Sequence, residues 1–136
     1  MDKFVKRFIF MGIIYLMIAS VMGVAMMVFP VSAKLRFAHV HLNLLGWISM
    51  LIFGVGYHIL PRFTGRPLHS NRLGEIQFWL ANIGLIGMAL ISMTGQITPD
   101  KPLFPIFIIS GLVEVFSIII FGYNMIMTLF VKGKAA

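Results

Sequence analysis

The chain has 136 residues and a mean hydropathy of +0.98; 60% of them are hydrophobic and 11% charged. A soluble domain of that size leaves too much of its surface exposed to hide so much apolar area, so the bilayer is its natural solvent. The formal charge of +7 lies in short stretches between apolar runs, which points to membrane topology and lipid headgroups and away from nucleic acid. Cysteine is absent, which excludes disulfides, thiolate metal sites, iron–sulfur clusters and covalently attached c-type heme.

A spanning helix needs about 20 mostly apolar residues, and the chain offers four such runs. The opening Met1-Asp-Lys3-Phe-Val-Lys6-Arg7 resembles the basic start of a signal peptide. The apolar run behind it continues to Phe29, too long for a signal core, and no small-residue cleavage site closes it. We therefore expect a first span over 8–29, ended by Pro30. A loop over 31–37 carries Lys34 and Arg36. The second span, 38–60, holds His39, His41, Asn43, Trp47, Tyr57 and His58, and Pro61 is expected to end it. The loop over 61–74 holds Arg62, Arg66, His69 and Arg72 among Gly and Pro turn residues. The third span, 75–95, starts on Glu75, an acidic residue that suits a helix N-terminus. A short loop with Asp100 and Lys101 leads to the fourth, 103–131, with Pro105 in its first turn.

With four spans, Lys3, Lys6, Arg7, Arg62, Arg66, Arg72, Lys132 and Lys134 share one side, against Lys34, Arg36 and Lys101 on the other. That bias places both termini in the cytoplasm and His39 and His41 near the outer face of a bacterial-type inner membrane. His58 then lies roughly 25 Å away, at 1.5 Å per residue, and cannot share a ligand with the pair.

Histidine is an unusual guest in a membrane helix, where polar groups face a partner, a cavity or a cofactor. At roughly 100° per residue, His39 and His41 stand about 200° apart round the axis, so they serve two different surroundings. One possibility is axial ligation of heme, since neutral imidazole is the common protein ligand for its iron. The other is ordinary hydrogen bonding at the interface to a neighbouring helix or water. Lys34, Arg36 and Lys101 are the outer-side cations that can meet heme propionates; headgroups are the competing partner. Glu114, the one carboxylate deep in an apolar run, is a candidate proton or polar relay, or else a neutral acid bonded to Asn82, Ser110 or Ser117. Glycines 84, 87, 95, 111 and 122 permit close helix approach and need no cofactor. The eleven methionines are mostly filler. No serine has a visible base partner, and no phosphate-binding glycine motif is present.

The stretch AHVHLNLLGWISMLIFGVGYHILPR resembles the tenth helix of the catalytic subunit of heme-copper oxidases, in the form seen in the C-family (cbb-type) enzymes and their nitric oxide reductase relatives. Glu75-Ile-Gln-Phe78-Trp79-Leu-Ala-Asn82-Ile-Gly84 is similar to the start of that family's eleventh helix. Gly122-Tyr123-Asn124 followed by Thr128 is similar to the end of its twelfth. The resemblance implies that His39 ligates a high-spin heme and His41 a low-spin one. It departs where the family's copper site would be. There is no His-His pair, and no second-helix histidine to complete the low-spin heme. One chain alone therefore does not assemble an oxygen-reducing binuclear centre. The family's twelve helices form three arcs of four, with hemes between arcs. A homotrimer of four-helix chains would rebuild that ring, with His39 of one copy and His41 of the next at each interface.

The expectation is thus an all-α integral membrane protein, one four-transmembrane-helix bundle over 1–136, resembling one arc of subunit I. It would bind heme b and transfer electrons, or bind oxygen or nitric oxide if one coordination position stays open. Quinol or a cytochrome c are its candidate redox partners. Two alternatives stand beside it: a heme-free accessory subunit of a larger respiratory complex, and a small gas-reducing assembly with a non-heme metal. The lack of further histidine ligands argues against the second of these.

Overall fold

The computed structural model describes residues 2–29 and 33–131, with side chains throughout except at Ala33 and Lys34. These residues are helical in four long apolar stretches, each long enough to cross a membrane, and contain no strand. The first is α1, Lys3–Val28. The second is continuous but changes character along its length: α2, Ala33–His41, runs into a π-helical stretch, Leu42–Ser49, and then into α3, Met50–Phe63. The third is α4, Asn71–Thr94, and the fourth α5, Phe104–Leu129. The chain is an integral membrane protein.

Each helix starts or stops where local chemistry allows. Ser70 caps α4 by accepting a hydrogen bond from the Leu73 amide at 3.2 Å. Gly95, at φ 78°, ends α4 in the left-handed conformation that glycine adopts without cost. Pro105 sits in the first turn of α5, where a missing N–H leaves no bond unmade. Several ends differ from the expectation: α1 begins at Lys3, and α4 at Asn71, so Glu75 lies beyond its first turn and does not start the span. The second span begins at Ala33, so the loop expected over 31–37 is mostly helix, and α3 runs through the buried Pro61 to Phe63. Proline removes one donor but does not force a stop when the chain has only a turn left to make. The stop comes at Gly65, at φ 63°, whose amide bonds the Arg62 carbonyl, while the Arg66 amide bonds that of Pro61.

Consecutive spans run antiparallel. Arg7 pairs with Glu75 at 3.1 Å, and Arg66 donates to the Leu129 and Val131 carbonyls at 3.3 Å. The start of α1, the connection after α3 and the end of α5 thus share one end, rich in Arg and Lys, called the basic end below. The start of α2 and the Gly95–Leu103 connection share the other, the histidine end. The core at the basic end is aromatic: Phe8 meets Phe53, Tyr57 and Phe78 with ring centroids 5.1–6.0 Å apart, and Tyr57 meets Phe121 at 5.2 Å. Toward mid-bundle, α4 and α5 come together over Gly84. A Cβ there would lie 2.8 Å from the Glu114 amide nitrogen and 2.9 Å from the Ser110 carbonyl, so only glycine allows this approach.

Candidate functional site

His39 and His41 face different neighbours. The His39 ring lies against α1, where a Cβ built on Gly23 would stand 3.3 Å from its Cε1. It borders an open groove of about 680 Å³ lined by Ala19, Gly23, Val24, Met27, His39 and Asn43, among others. Asn43, one turn on, donates to the His39 carbonyl at 3.0 Å, and its amide nitrogen stands 3.4 Å from His39 Nε2. His39 Nδ1 is buried and has no hydrogen-bond partner. Small residues on α1 thus flank the half-buried His39 ring along this groove.

His41 has a different neighbour, Phe37, through which it is linked to α5. Its ring stacks on Phe37, with centroids 3.8 Å apart and planes at 21°, and Phe37 in turn abuts Phe107 at 5.3 Å. His41 Nδ1 lies 2.9 Å from the Phe37 carbonyl oxygen. A carbonyl can only accept, so Nδ1 must carry the proton, and Nε2 keeps the free lone pair. This is how ligating histidines are held: the far nitrogen is tied to a carbonyl, which fixes both tautomer and ring plane. Phe37 is thus a positioning residue that the expected loop over 31–37 concealed. The helix begun at Ala33 puts Phe37 one turn before His41, on its face.

Immediately after His41 the backbone switches to π geometry for Leu42–Ser49, and Ser49 Oγ bonds the carbonyl five residues back, of Leu44, at 2.9 Å. Such stretches are rare and gather at functional sites, because the wider turn re-aims the side chains that follow. Here Gly46 of the π stretch packs on Tyr15: a Cβ would fall 2.8 Å from that ring's Cγ.

The remaining candidates are spread out. Arg36 and Lys101 are exposed at the histidine end; Lys101 is already paired with Asp100 at 3.0 Å. The Thr98 side chain, and Lys101 after it, hold the Asp100 carboxyl below its usual range, so that charge stays in place to neutralise the lysine. The Lys34 side chain lies outside the described residues, as do Lys132 and Lys134. His58 is at the opposite end, with Arg62 Nη1 2.7 Å from its Nδ1 and donating to its carbonyl. Glu114 is buried, but none of the three expected partners bonds it. Asn82 accepts from Tyr15 at 2.6 Å and donates to the Phe78 carbonyl, and Ser110 donates to the Ile106 carbonyl. Ser117 Oγ and both Glu114 oxygens are unpartnered. Among the described residues no three His, Cys, Asp or Glu side chains converge to hold a metal ion.

Comparison with known proteins gives the chain its relatives. Residues 2–98 match the family described as Cytochrome C and Quinol oxidase polypeptide I. The chain is 45% identical over 49 residues to the Cbb3-type cytochrome c oxidase subunit CcoN1 of Stutzerimonas stutzeri, covering 35% of this chain and 10% of that protein. It is 47% identical over 49 residues to the cytochrome c oxidase subunit 1 of Rhodobacter capsulatus, covering 35% and 9%. It is 41% identical over 54 residues to a subunit 1 homolog of Agrobacterium tumefaciens, covering 39% and 10%. The matched part is about a tenth of the length of these curated relatives. Since the family match runs through α1, the whole histidine-bearing second span and α4, the chain belongs to the cytochrome c and quinol oxidase polypeptide I family.

Proposed function

We propose that the chain is a b-type, heme-binding membrane cytochrome that transfers electrons, each heme held between two copies by His39 of one and His41 of the next. The observation that carries this reading is the division of the pair: His39 lies against α1 and His41 on the α5 side, each with a nitrogen available. Two ligands about 200° apart on one helix cannot meet on a single iron, but they suit a ring. In a cyclic trimer the contact is head to tail, so each interface joins two different surfaces of the chain. The heme would supply one-electron chemistry between its two iron oxidation states.

The protein's own share is binding and orientation. The Phe37 carbonyl fixes the His41 tautomer, and its ring fixes the imidazole plane. The small residues Ala19 and Gly23 leave room beside His39. Arg36, Lys34 and Lys101 lie at the end where propionates would emerge. With the basic end in the cytoplasm, following the charge bias, the hemes face the outer side of the membrane. A quinol in the bilayer or a cytochrome c at its surface is the fitting electron donor. Were one axial position open, oxygen or nitric oxide would bind there instead.

Purified protein should show a reduced-minus-oxidised b-type spectrum with about one heme per chain, the ratio a ring of three interfaces requires. His39→Ala and His41→Ala should each abolish the bis-histidine signature. Protein that purifies without heme, or variants that retain all of it, would overturn the assignment. The first outcome would instead fit an accessory subunit packed in a larger respiratory complex.

A further inference from the structure

Buried polar groups are nearly always hydrogen-bonded, so a cluster of orphans asks for an explanation. The α4/α5 contact carries such a cluster. On α5, Ser110, Glu114, Ser117, Asn124 and Thr128 recur at helical spacing and are all buried. Opposite them, α4 presents Gly84, Ala81 and Gln77, below which lies its cap, Ser70.

The register follows from the two ends. At the basic end the Ser70 amide bonds Asn124 Oδ1 at 3.0 Å, and Asn124 Nδ2 bonds the Ser70 carbonyl at 2.8 Å. At mid-bundle Gly84 meets Ser110 and Glu114. Seven residues up one antiparallel helix and seven down the other bring Gln77 level with Ser117. Sevens keep a residue on nearly the same helix face, so Gln77 faces Ser117 across the contact.

Here the orphans gather. Gln77 and Ser117 are each 0% exposed, Glu114 2% and Tyr57 3%. Gln77 Nε2 and Oε1, Ser117 Oγ, both Glu114 oxygens and the Tyr57 hydroxyl have no partner. Tyr57 approaches the Asn124 side chain without a hydrogen bond of ordinary geometry. Leaving one such group unsatisfied costs about 1–3 kcal/mol, and five such atoms in the α4/α5 seam, with the Tyr57 hydroxyl of α3 beside them, weigh heavily on a marginal fold. Internal water is the usual remedy, each molecule taking two to four polar partners.

We propose that the α4/α5 seam holds a file of internal water giving the Glu114 carboxyl proton access to the basic end of the bundle. The file runs from Thr128 past Asn124, Tyr57, Gln77 and Ser117 to Glu114, about 21 Å at 1.5 Å per residue. It is one-sided. Above Glu114 the backbones meet at Gly84 and Ser110, where not even a methyl group fits, and this contact seals the seam from the histidine end. Below it the contact is made by the small side chains of Ala81 and Ser117, with the unpartnered Gln77 beside them. Glu114 gives its proton to the adjacent water, that proton leaves along the file to the basic end, and the carboxylate takes one back by the same route, so carboxyl and water are both regenerated. Glu114 stands two helical turns from Phe107, the ring through which α5 reaches Phe37 and His41. The exchangeable proton of Glu114 thus lies on the helix whose Phe107 abuts Phe37, the ring stacked on His41. The file itself goes beyond the heme assignment and does not depend on it.

Infrared hydrogen–deuterium exchange on the full chain in lipid tests this without reference to heme. A protonated carboxyl band assigned by its loss in Glu114→Gln should shift on transfer to heavy water, at a rate resolved by rapid mixing. Ser117→Ala and Gln77→Leu should each slow that shift by about tenfold, the effect of losing roughly one hydrogen bond along the path. Ser117→Ala removes only a hydroxyl and keeps the helix contact, so it stands even if Gln77→Leu fails to fold. A wild-type band that does not shift while the exposed connections exchange fully would overturn the proposal. So would the lack of any such band, or an exchange rate unchanged in Ser117→Ala.

Discussion

Single side chains carry the account at its finest scale. His41 is held by one carbonyl and one ring, both from Phe37. Replacing Phe37 with alanine keeps the carbonyl and removes the stack, worth about 0.5–1.5 kcal/mol. Heme titration of Phe37→Ala should show retention weakened by roughly three- to tenfold, with Phe37→Leu between it and wild type; equal retention in all three would remove Phe37 from the site. Elsewhere, Tyr15 donates to Asn82 at 2.6 Å in the buried contact of α1 with α4. Tyr15→Phe leaves the Asn82 oxygen unsatisfied and should cost about 1–3 kcal/mol, read as a lower thermal midpoint in detergent with heme content per folded chain unchanged. His39, His41 and Glu114 stood out in the sequence because a bilayer gives polar groups no cheap place. Gln77 and Tyr15 did not stand out. Glutamine is unremarkable near a span end and tyrosine inside an apolar run, and only the register of α4 against α5 shows that Gln77 faces Ser117.

At the scale of elements, hydropathy marks membrane spans well and helix ends poorly. Ala33-Lys-Leu-Arg36-Phe37 is a good helix former that happens to be charged, so the helix starts before the apolar run does, and Phe37 passed for loop. Pro61 read as a stop and proved to be one turn early: the helix runs on to Phe63 and closes where the Gly65 and Arg66 amides bond the Arg62 and Pro61 carbonyls. The π stretch over Leu42–Ser49 had no signal in composition. It comes from packing, where Gly46 must admit the Tyr15 ring. The α4/α5 contact is the strictest of these elements. Gly84→Val would drive a branched side chain into the Ser110–Glu114 backbone, and overpacking of this kind costs about 1–3 kcal/mol or more. Unfolding of Gly84→Val should come earlier than that of Gly122→Val, since a Cβ on Gly122 meets nothing within 4 Å. Equal stability of the two variants would mean that α4 and α5 do not pack as described.

For the whole molecule, the antiparallel spans put the basic connection and the histidine pair at opposite ends of the bundle. The lack of native cysteine makes their sidedness easy to read. A cysteine placed at Lys101 should react with an impermeant thiol reagent from outside intact cells, and one placed at Arg66 only after lysis. The reverse pattern would turn the bundle over. Much of the outer surface of α1 and α5 is bare isoleucine, valine, leucine, methionine and phenylalanine, suited to lipid and to neighbouring copies alike. That surface cannot say which copy meets which; the histidines can. A heme shared between copies needs His39 from one chain and His41 from another, so two defective chains should repair each other. Co-expressed His39→Ala and His41→Ala chains should regain a bis-histidine b-type spectrum at about one quarter of the wild-type level for random assembly of a ring, while either variant alone has none. Mixed assemblies that form but stay without that spectrum would contradict a heme held between neighbours.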